Sequence, residues 1–408
     1  MHWEPLDSKA IQTRIEASLA INASYRSDDV LGFPGSFLDR EAFPPAPFLE
    51  DAPFLRCLLE NPNHIGCHTL VEGEDVFSGT QEIEREVIRL CGEEILGAGP
   101  QACDGYVASG GTEANIQALW VYRNELQATT GVSGGEIAVL HSEDAHYSVV
   151  KGCDLLGLQR HLVRVDPLTR QVSEEAALAA LEAVVAEGAR AAVWLLTMGT
   201  TLFGSVDDYA PIKAALRASG LPYRVHVDAA FGGYIYPFVS EANALTFAEP
   251  DIGSFTLDAH KMLQAPYGTG IFLARKGLIE HVRTQASYVQ GHDYTLCGSR
   301  SGANAVAVWM ILRKYGSEGG KTFVRGLIER TDALCLGLDA LGVRYFRDPS
   351  MNVVALRAEG FPLEVARRFH LVPDSHEGTP SWWKIVVMDH VSTPLLERFL
   401  ESLRGAYS

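Results

Sequence analysis

The sequence predicts an α/β fold, with a mostly parallel central sheet covered by helices on both faces and a smaller C-terminal α+β domain. Two observations carry this expectation. From about residue 56 to 290, short apolar segments alternate with helical ones, and such alternation requires crossover connections between parallel strands. The chain is also 408 residues long, more than one hydrophobic core usually organises, so a large unit with a smaller appended one is expected.

Taken in order, residues 1–55 combine a helix over Ser8 to Asn22 with a loop rich in Pro, Phe and Asp around Phe33 to Pro53. They read as an arm that packs on something else, a second subunit being one such partner. Residues 56–300 form the large domain. Its strands are expected at Tyr106–Ala108, Ile137–Leu140, Ala192–Leu196, Tyr223–Val227 and Ile271–Ala274. An Ala-rich stretch from Ser173 to Gly188 has a capping serine, acids in its first turn and a closing glycine, so it reads as a cover helix without chemistry. Residues 301–408 form the small domain, with a helix over Ser301 to Tyr315, a strand in Trp383–Met388 and a terminal helix near Pro394 to Arg404.

Composition narrows the function. A hydrophobic fraction of 47% is that of an ordinary globular protein. A net charge of -17 argues against nucleic acid or an anionic membrane as partner, since both reward a positive face. The seven cysteines are scattered, with no Cys-x-x-Cys pair and no Cys/His spacing suited to zinc, so reduced thiols in a cytoplasmic protein and no metal site are expected. The segment Met1–Asp7 lacks the basic start and apolar core of an export signal, and no apolar run approaches the roughly 20 residues that cross a bilayer.

The chemistry is concentrated at strand ends. Asp228 lies in His226-Val227-Asp228-Ala229-Ala230-Phe231-Gly232-Gly233, and Lys261 follows in Ser254-Phe255-Thr256-Leu257-Asp258-Ala259-His260-Lys261. A lysine amine can form a Schiff base with the aldehyde of pyridoxal 5'-phosphate (PLP), and a buried carboxylate can hold the pyridine nitrogen protonated so that the ring accepts electrons. The small residues after Asp228 leave room for a flat ring. A phosphate site is expected at Ala108-Ser109-Gly110-Gly111-Thr112-Glu113-Ala114-Asn115, where a strand passes through two glycines into a helix whose free N–H groups and dipole favour an anion. Such a site needs no net positive charge.

Two further segments follow strands. In His141-Ser142-Glu143-Asp144-Ala145-His146-Tyr147-Ser148 an imidazole could stack on the ring or move protons, with His146 preferred over His141 and Tyr147. In the segment Thr197–Asp208, Thr201 could meet the cofactor's ring oxygen or a substrate carboxylate; the alternative is an ordinary turn with Asp207 capping the next helix.

With these motifs in this order, the chain resembles the group II PLP-dependent amino-acid decarboxylases, fold type I enzymes of the PLP-dependent transferase-like fold. The resemblance spans roughly residues 56–315, and Thr295-Leu296-Cys297-Gly298-Ser299-Arg300-Ser301-Gly302 is most similar to the compact archaeal and bacterial branch with tyrosine, aspartate or histidine as substrate. It implies that Lys261 is the Schiff-base lysine, Asp228 the pyridinium partner, His146 the stacking residue and Ala230 the contact on the opposite ring face. Gly111, Thr112 and His260 match positions near the phosphate, and Ser299 matches one that reaches a phosphate across a dimer interface. A homodimer with shared active sites follows. The expected reaction is decarboxylation of an L-amino acid to its amine and CO2, the protonating residue being Tyr288 on a loop, with Tyr294 and His292 competing. Rival readings are a carbon-carbon lyase like the sphingosine-phosphate lyases, a decarboxylating aldehyde synthase, and a degenerate PLP-binding protein. The chain departs from its relatives at Lys384, where arginine is frequent, and a lysine lacks arginine's two-pronged grip on a carboxylate.

Overall fold

The computed structural model describes residues 1–22, 57–58, 63–65, 73–240 and 242–407. The loop expected around Phe33 to Pro53 lies outside them. The strands in chain order are β1 (Asn63–Ile65), β2 (Cys103–Ala108), β3 (Ile137–Ser142), β4 (Gln159–Val163), β5 (Ala191–Thr197), β6 (Tyr223–Asp228), β7 (Ile252–Asp258), β8 (Gly270–Arg275), β9 (Ser299–Ser301), β10 (Tyr345–Phe346), β11 (Val353–Arg357), β12 (Val372–Pro373) and β13 (Trp382–Val386).

Seven of these form the central sheet, in the order β2-β8-β7-β6-β5-β3-β4. Neighbours from β7 to β4 pair in parallel, whereas β8 runs antiparallel to both β2 and β7. The sheet is buried on both faces, which is why its strands read as near-continuous apolar runs. In β5, Ala192, Trp194 and Leu196 enter one core while Ala191, Val193 and Leu195 enter the other, as the two-residue period of a strand requires. The cover helix forms over Glu174–Ala186, with Ser173 Oγ accepting the Ala176 N–H at 3.1 Å.

One expected cap falls elsewhere. Asp208 caps the helix Tyr209–Ser219 by accepting from the Ala210 N–H. Asp207 turns back instead and accepts the Thr197 N–H at 2.8 Å, at the end of β5. Burial pushes the Asp207 carboxyl up to about 7.

The small sheet has the order β10-β11-β13-β12 and is antiparallel throughout. Its core joins Leu334, Leu338, Val354, Leu356 and Trp383 to Phe399 and Leu403 of the terminal helix Thr393–Tyr407. The helix expected to stop at Tyr315 continues, because the segment Gly302–Ala340 breaks at Gly316 and then resumes. Gly316 has φ +62, open only to glycine at little strain, and a Cβ there would meet the Pro5 nitrogen at 2.9 Å. The N-terminal segment is tied to this break: Trp3 Nε1–H donates to the Leu312 carbonyl, the Leu6 N–H to Arg313 and the Ser317 N–H to Trp3.

Candidate active site

Ala108 of β2 and Asp258 of β7 both pair with Gly270, the first residue of β8. Three strand termini therefore lie side by side at one sheet edge. A Cβ on Gly270 would stand 2.3 Å from the Gly110 carbonyl carbon, so only glycine there lets the loop between β2 and the next helix lie flat against the sheet. That helix, Gly111–Thr130, opens with N–H groups that have no carbonyl one turn back, and its dipole adds positive potential. Glu113 folds its carboxylate back onto the Ser109 N–H at 2.8 Å and accepts from the Tyr106 hydroxyl, fixing the loop.

The helix start forms one end of a cavity of about 350 Å³ lined by Ser109, Gly110, Gly111, Thr112, Asn115, His146, Thr201, Asp228, Ala230, Asp258, His260 and Lys261. Asp228, at the end of β6, is buried; it accepts from Asn115 Nδ2 at 2.8 Å and from the Ala230 N–H at 3.1 Å. Lys261 sits in the turn after β7 with Nζ 3.4 Å from Asp258 Oδ2. Burial raises the Asp258 carboxyl above the usual range, against the opposing pull of Lys261 and His260. His260 has Nδ1 3.0 Å from Asp258 Oδ1, off the line a hydrogen bond needs, and its ring lies 4.9 Å from that of Tyr267. Burial holds His146 below the ordinary imidazole value, and its Nδ1 faces Ser148.

The fold thus brings Lys261, Asp228, His146, Gly111, Thr112, Thr201, Ala230 and His260 to one cavity. Tyr147 joins them in the cavity lining, its ring 4.1 Å from that of His146 and tilted by 40°, whereas His141 is buried in β3 and bonds the Ser142 carbonyl. Two expected residues stand apart from this chain's cavity lining. Tyr288 is 87% exposed, and Ser299 is exposed on β9, paired with Ile65 of β1. Tyr294 is buried, its hydroxyl against Glu280. The glycines after Asp228 serve the protein more than a ring: a Cβ on Gly232 would meet the Met198 carbonyl oxygen at 2.2 Å, and one on Gly233 the Leu257 side chain at 2.1 Å. Of the small residues there, only Ala230 lines the cavity.

Sequence reading missed Asn115 and Asp258 as site residues. Both carried a signal, since Asn115 lies one helical turn after Gly111 and Asp258 one turn before Lys261. Lys384 of β13 reaches the same edge, donating to the Thr201 carbonyl at 3.1 Å. Arg300 of the Gly-Ser-Arg motif is buried, bonded to Glu84 through both Nη atoms and to the Val107 carbonyl, while the Val107 N–H also donates to Glu84 at 2.7 Å. This clamp fastens β9 to β2, the strand that leads into the helix start at the cavity.

An anion cradle at a helix start, an amine and a buried carboxylate around one cavity suit the phosphate, aldehyde and ring nitrogen of pyridoxal 5'-phosphate, and with this sheet they define a PLP enzyme of fold type I. Residues 81–345 match the pyridoxal-dependent decarboxylase conserved domain. The chain belongs to that family and is a PLP-dependent amino-acid decarboxylase. It is 41% identical to the tryptophan decarboxylase of Clostridium sporogenes (strain ATCC 15579) over 408 residues, covering 98% of this chain and 97% of that relative. A probable L-tyrosine/L-aspartate decarboxylase of Methanothrix thermoacetophila is 32% identical over 335 residues, 80% of this chain and 82% of the relative. Among solved structures, the L-methionine decarboxylase of Streptomyces sp. 590 superposes with a TM-score of 0.71 at 19% identity, covering 98% of this chain and 96% of that one. No helix among the described residues is long and apolar enough to cross a membrane.

Proposed function

We propose that this decarboxylase acts on an aromatic L-amino acid, tryptophan foremost, with Lys261 as the residue that carries the cofactor. What supports the lysine's role is the cavity itself: Lys261, Asp228, His146 and the helix start at Gly111 all line it. What supports the substrate is the 41% identity to a tryptophan decarboxylase along nearly the whole chain, together with Phe231 and Tyr147 in the cavity wall.

The cofactor supplies an electron sink for the pair of electrons left when carbon dioxide departs. Asp228 keeps its ring nitrogen protonated. Gly111 and Thr112 hold its phosphate at the helix start with His260 beside them, and Thr201 meets its ring oxygen or the substrate carboxylate. Ala230 and His146 bound the two ring faces and exclude water. Tyr288 delivers the proton that replaces the carboxylate. What supports placing Tyr288 and Ser299 in the partner's site of a homodimer is that both are exposed and absent from this chain's cavity lining.

Purified protein with PLP, offered tryptophan, tyrosine, phenylalanine, histidine, aspartate and glutamate separately, should release CO2 and the matching amine fastest from tryptophan. Amine from the acidic substrates alone would overturn the substrate, and aldehyde or no product from any of them would overturn the reaction. The Lys261→Ala protein should lose the cofactor's visible absorbance band. Mixing Lys261→Ala with Tyr288→Phe protein should restore part of the activity, since a mixed dimer keeps one intact site; no recovery would refute sharing.

A further inference from the structure

We infer that Asn115 is a positioning residue whose single buried amide serves both Asp228 and His146, holding the carboxylate in place and, by turning the Ser148 hydroxyl to His146 Nδ1, reinforcing the form of that imidazole with its proton on Nε2. The inference rests on the roles proposed for those two residues.

Asn115 is 1% exposed, on the helix Gly111–Thr130. Its Nδ2 donates one proton to Asp228 Oδ2 at 2.8 Å and the other to Ser148 Oγ at 2.9 Å. Its Oδ1 lies 3.0 Å from Nε2 of His226, which is wholly buried two residues before Asp228. An amide nitrogen only donates and its oxygen only accepts. Turning the amide over would set oxygen against the Asp228 carboxylate. One orientation therefore satisfies the network, and it requires the His226 proton on Nε2, while His226 Nδ1 accepts from Ser254 Oγ at 2.7 Å.

The second branch has equally fixed directions. The Ser148 N–H donates to His146 Nδ1 at 3.2 Å, which makes that nitrogen an acceptor, and with Asn115 donating to Ser148 Oγ the hydroxyl proton is turned to the same nitrogen at 3.0 Å. His146 Nδ1 is thereby an acceptor twice over, and Nε2 is the ring's N–H. An amide also leaves the charge of Asp228 uncancelled, where a cation would neutralise it. The carboxylate stays available to the ring nitrogen of the cofactor.

The test uses the full-length protein with histidine labelled at nitrogen, with and without PLP. Two-bond hydrogen–nitrogen correlations distinguish Nε2–H from Nδ1–H, and absorbance titration gives the PLP dissociation constant. In the parent, His146 should show the Nε2–H form. Ser148→Ala removes the hydroxyl donor and keeps only the main-chain N–H of residue 148, so it should raise the share of the Nδ1–H form with PLP affinity within about twofold, whereas Asn115→Ala frees the Ser148 hydroxyl to turn away and should raise that share and weaken PLP about tenfold or more through loss of a hydrogen bond to a charged group. If Asn115→Ala does not fold, the similarly sized Asn115→Leu, which removes both donated protons and adds no charge, carries the same expectations. An unaltered Nε2–H signal and unaltered PLP affinity in the Asn115 variant would overturn the inference, as would a parent with His146 protonated on Nδ1. The histidine signal is read without cofactor, so its failure is distinct from persistence of the visible band in Lys261→Ala, which would count against the role of Lys261.

Discussion

His226 should make this protein sensitive to mild acid, and the size of the effect can be worked out. Burial lowers its imidazole from the ordinary 6.5 to about 4, so the folded protein refuses a proton that the unfolded chain accepts. Stability from this group is therefore complete above pH 6.5, falls as the pH drops below that value, and is fully lost once the pH passes below the folded value. At 1.36 kcal/mol per unit, the loss between pH 7 and pH 5 is about 2 kcal/mol, with a ceiling of about 3 kcal/mol below pH 4. His226→Gln keeps an N–H for Asn115 but cannot titrate. It should cost a fixed amount at pH 7, and its stability should then fall by about 2 kcal/mol less than the parent's on going to pH 5. Urea unfolding followed by tryptophan fluorescence at a series of pH values measures this directly. Parallel stability curves for the two proteins would refute the reasoning.

Other expectations follow from the same structure. Asp207 has the opposite sign: burial raises it from 3.8 to about 7, so its folded form favours the proton and stability is lost as pH rises from about 4 to 7. Asp207→Asn should gain on the parent over that interval, by up to about 4 kcal/mol in urea unfolding, and a constant difference would count against it. Glu84→Ala takes the paired carboxylate from the buried Arg300 guanidinium, which keeps its bond to the Val107 carbonyl, and the acceptor from the Val107 N–H, and should cost about 3–5 kcal/mol in the same assay. Gly270→Ala forces the Gly110 loop away from the sheet and should weaken PLP binding about 5- to 150-fold in an absorbance titration, overpacking of this kind costing about 1–3 kcal/mol.

What could be read beforehand was local. Alternating apolar runs gave the buried strands, and the glycines before Thr112 marked the helix start that opens onto the cavity. Lys261 and Asp228 stood out because each sits at a strand end beside small residues. The reversal of β8 was less visible, although the link from Asp258 to Gly270 is too short for a helical crossover and so already implied an antiparallel pair. Asn115 escaped notice because its partners Asp228 and His226 lie 113 and 111 residues away, a pairing that no local pattern encodes. The tight contacts of Gly232 and Gly233 with Met198 and Leu257 were hidden for the same reason; small residues near a cofactor motif suggest room for a ring, yet here the protein's own backbone takes that room.

The break at Gly316 gives the first six residues a mechanical task. The long helix carries the chain from the central sheet toward the small one, and a helix interrupted in its middle is a hinge unless something splints it. Trp3 and Leu6 do so from more than 300 positions away, by taking up backbone groups at Leu312, Arg313 and Ser317. Lys384, which touches Thr201 beside the cofactor cavity, rides on the far side of that joint. The stiffness of the link between the cavity's edge and the small sheet is thus governed from the opposite end of the polypeptide, where trimming a few residues would loosen it without altering any residue of the cavity.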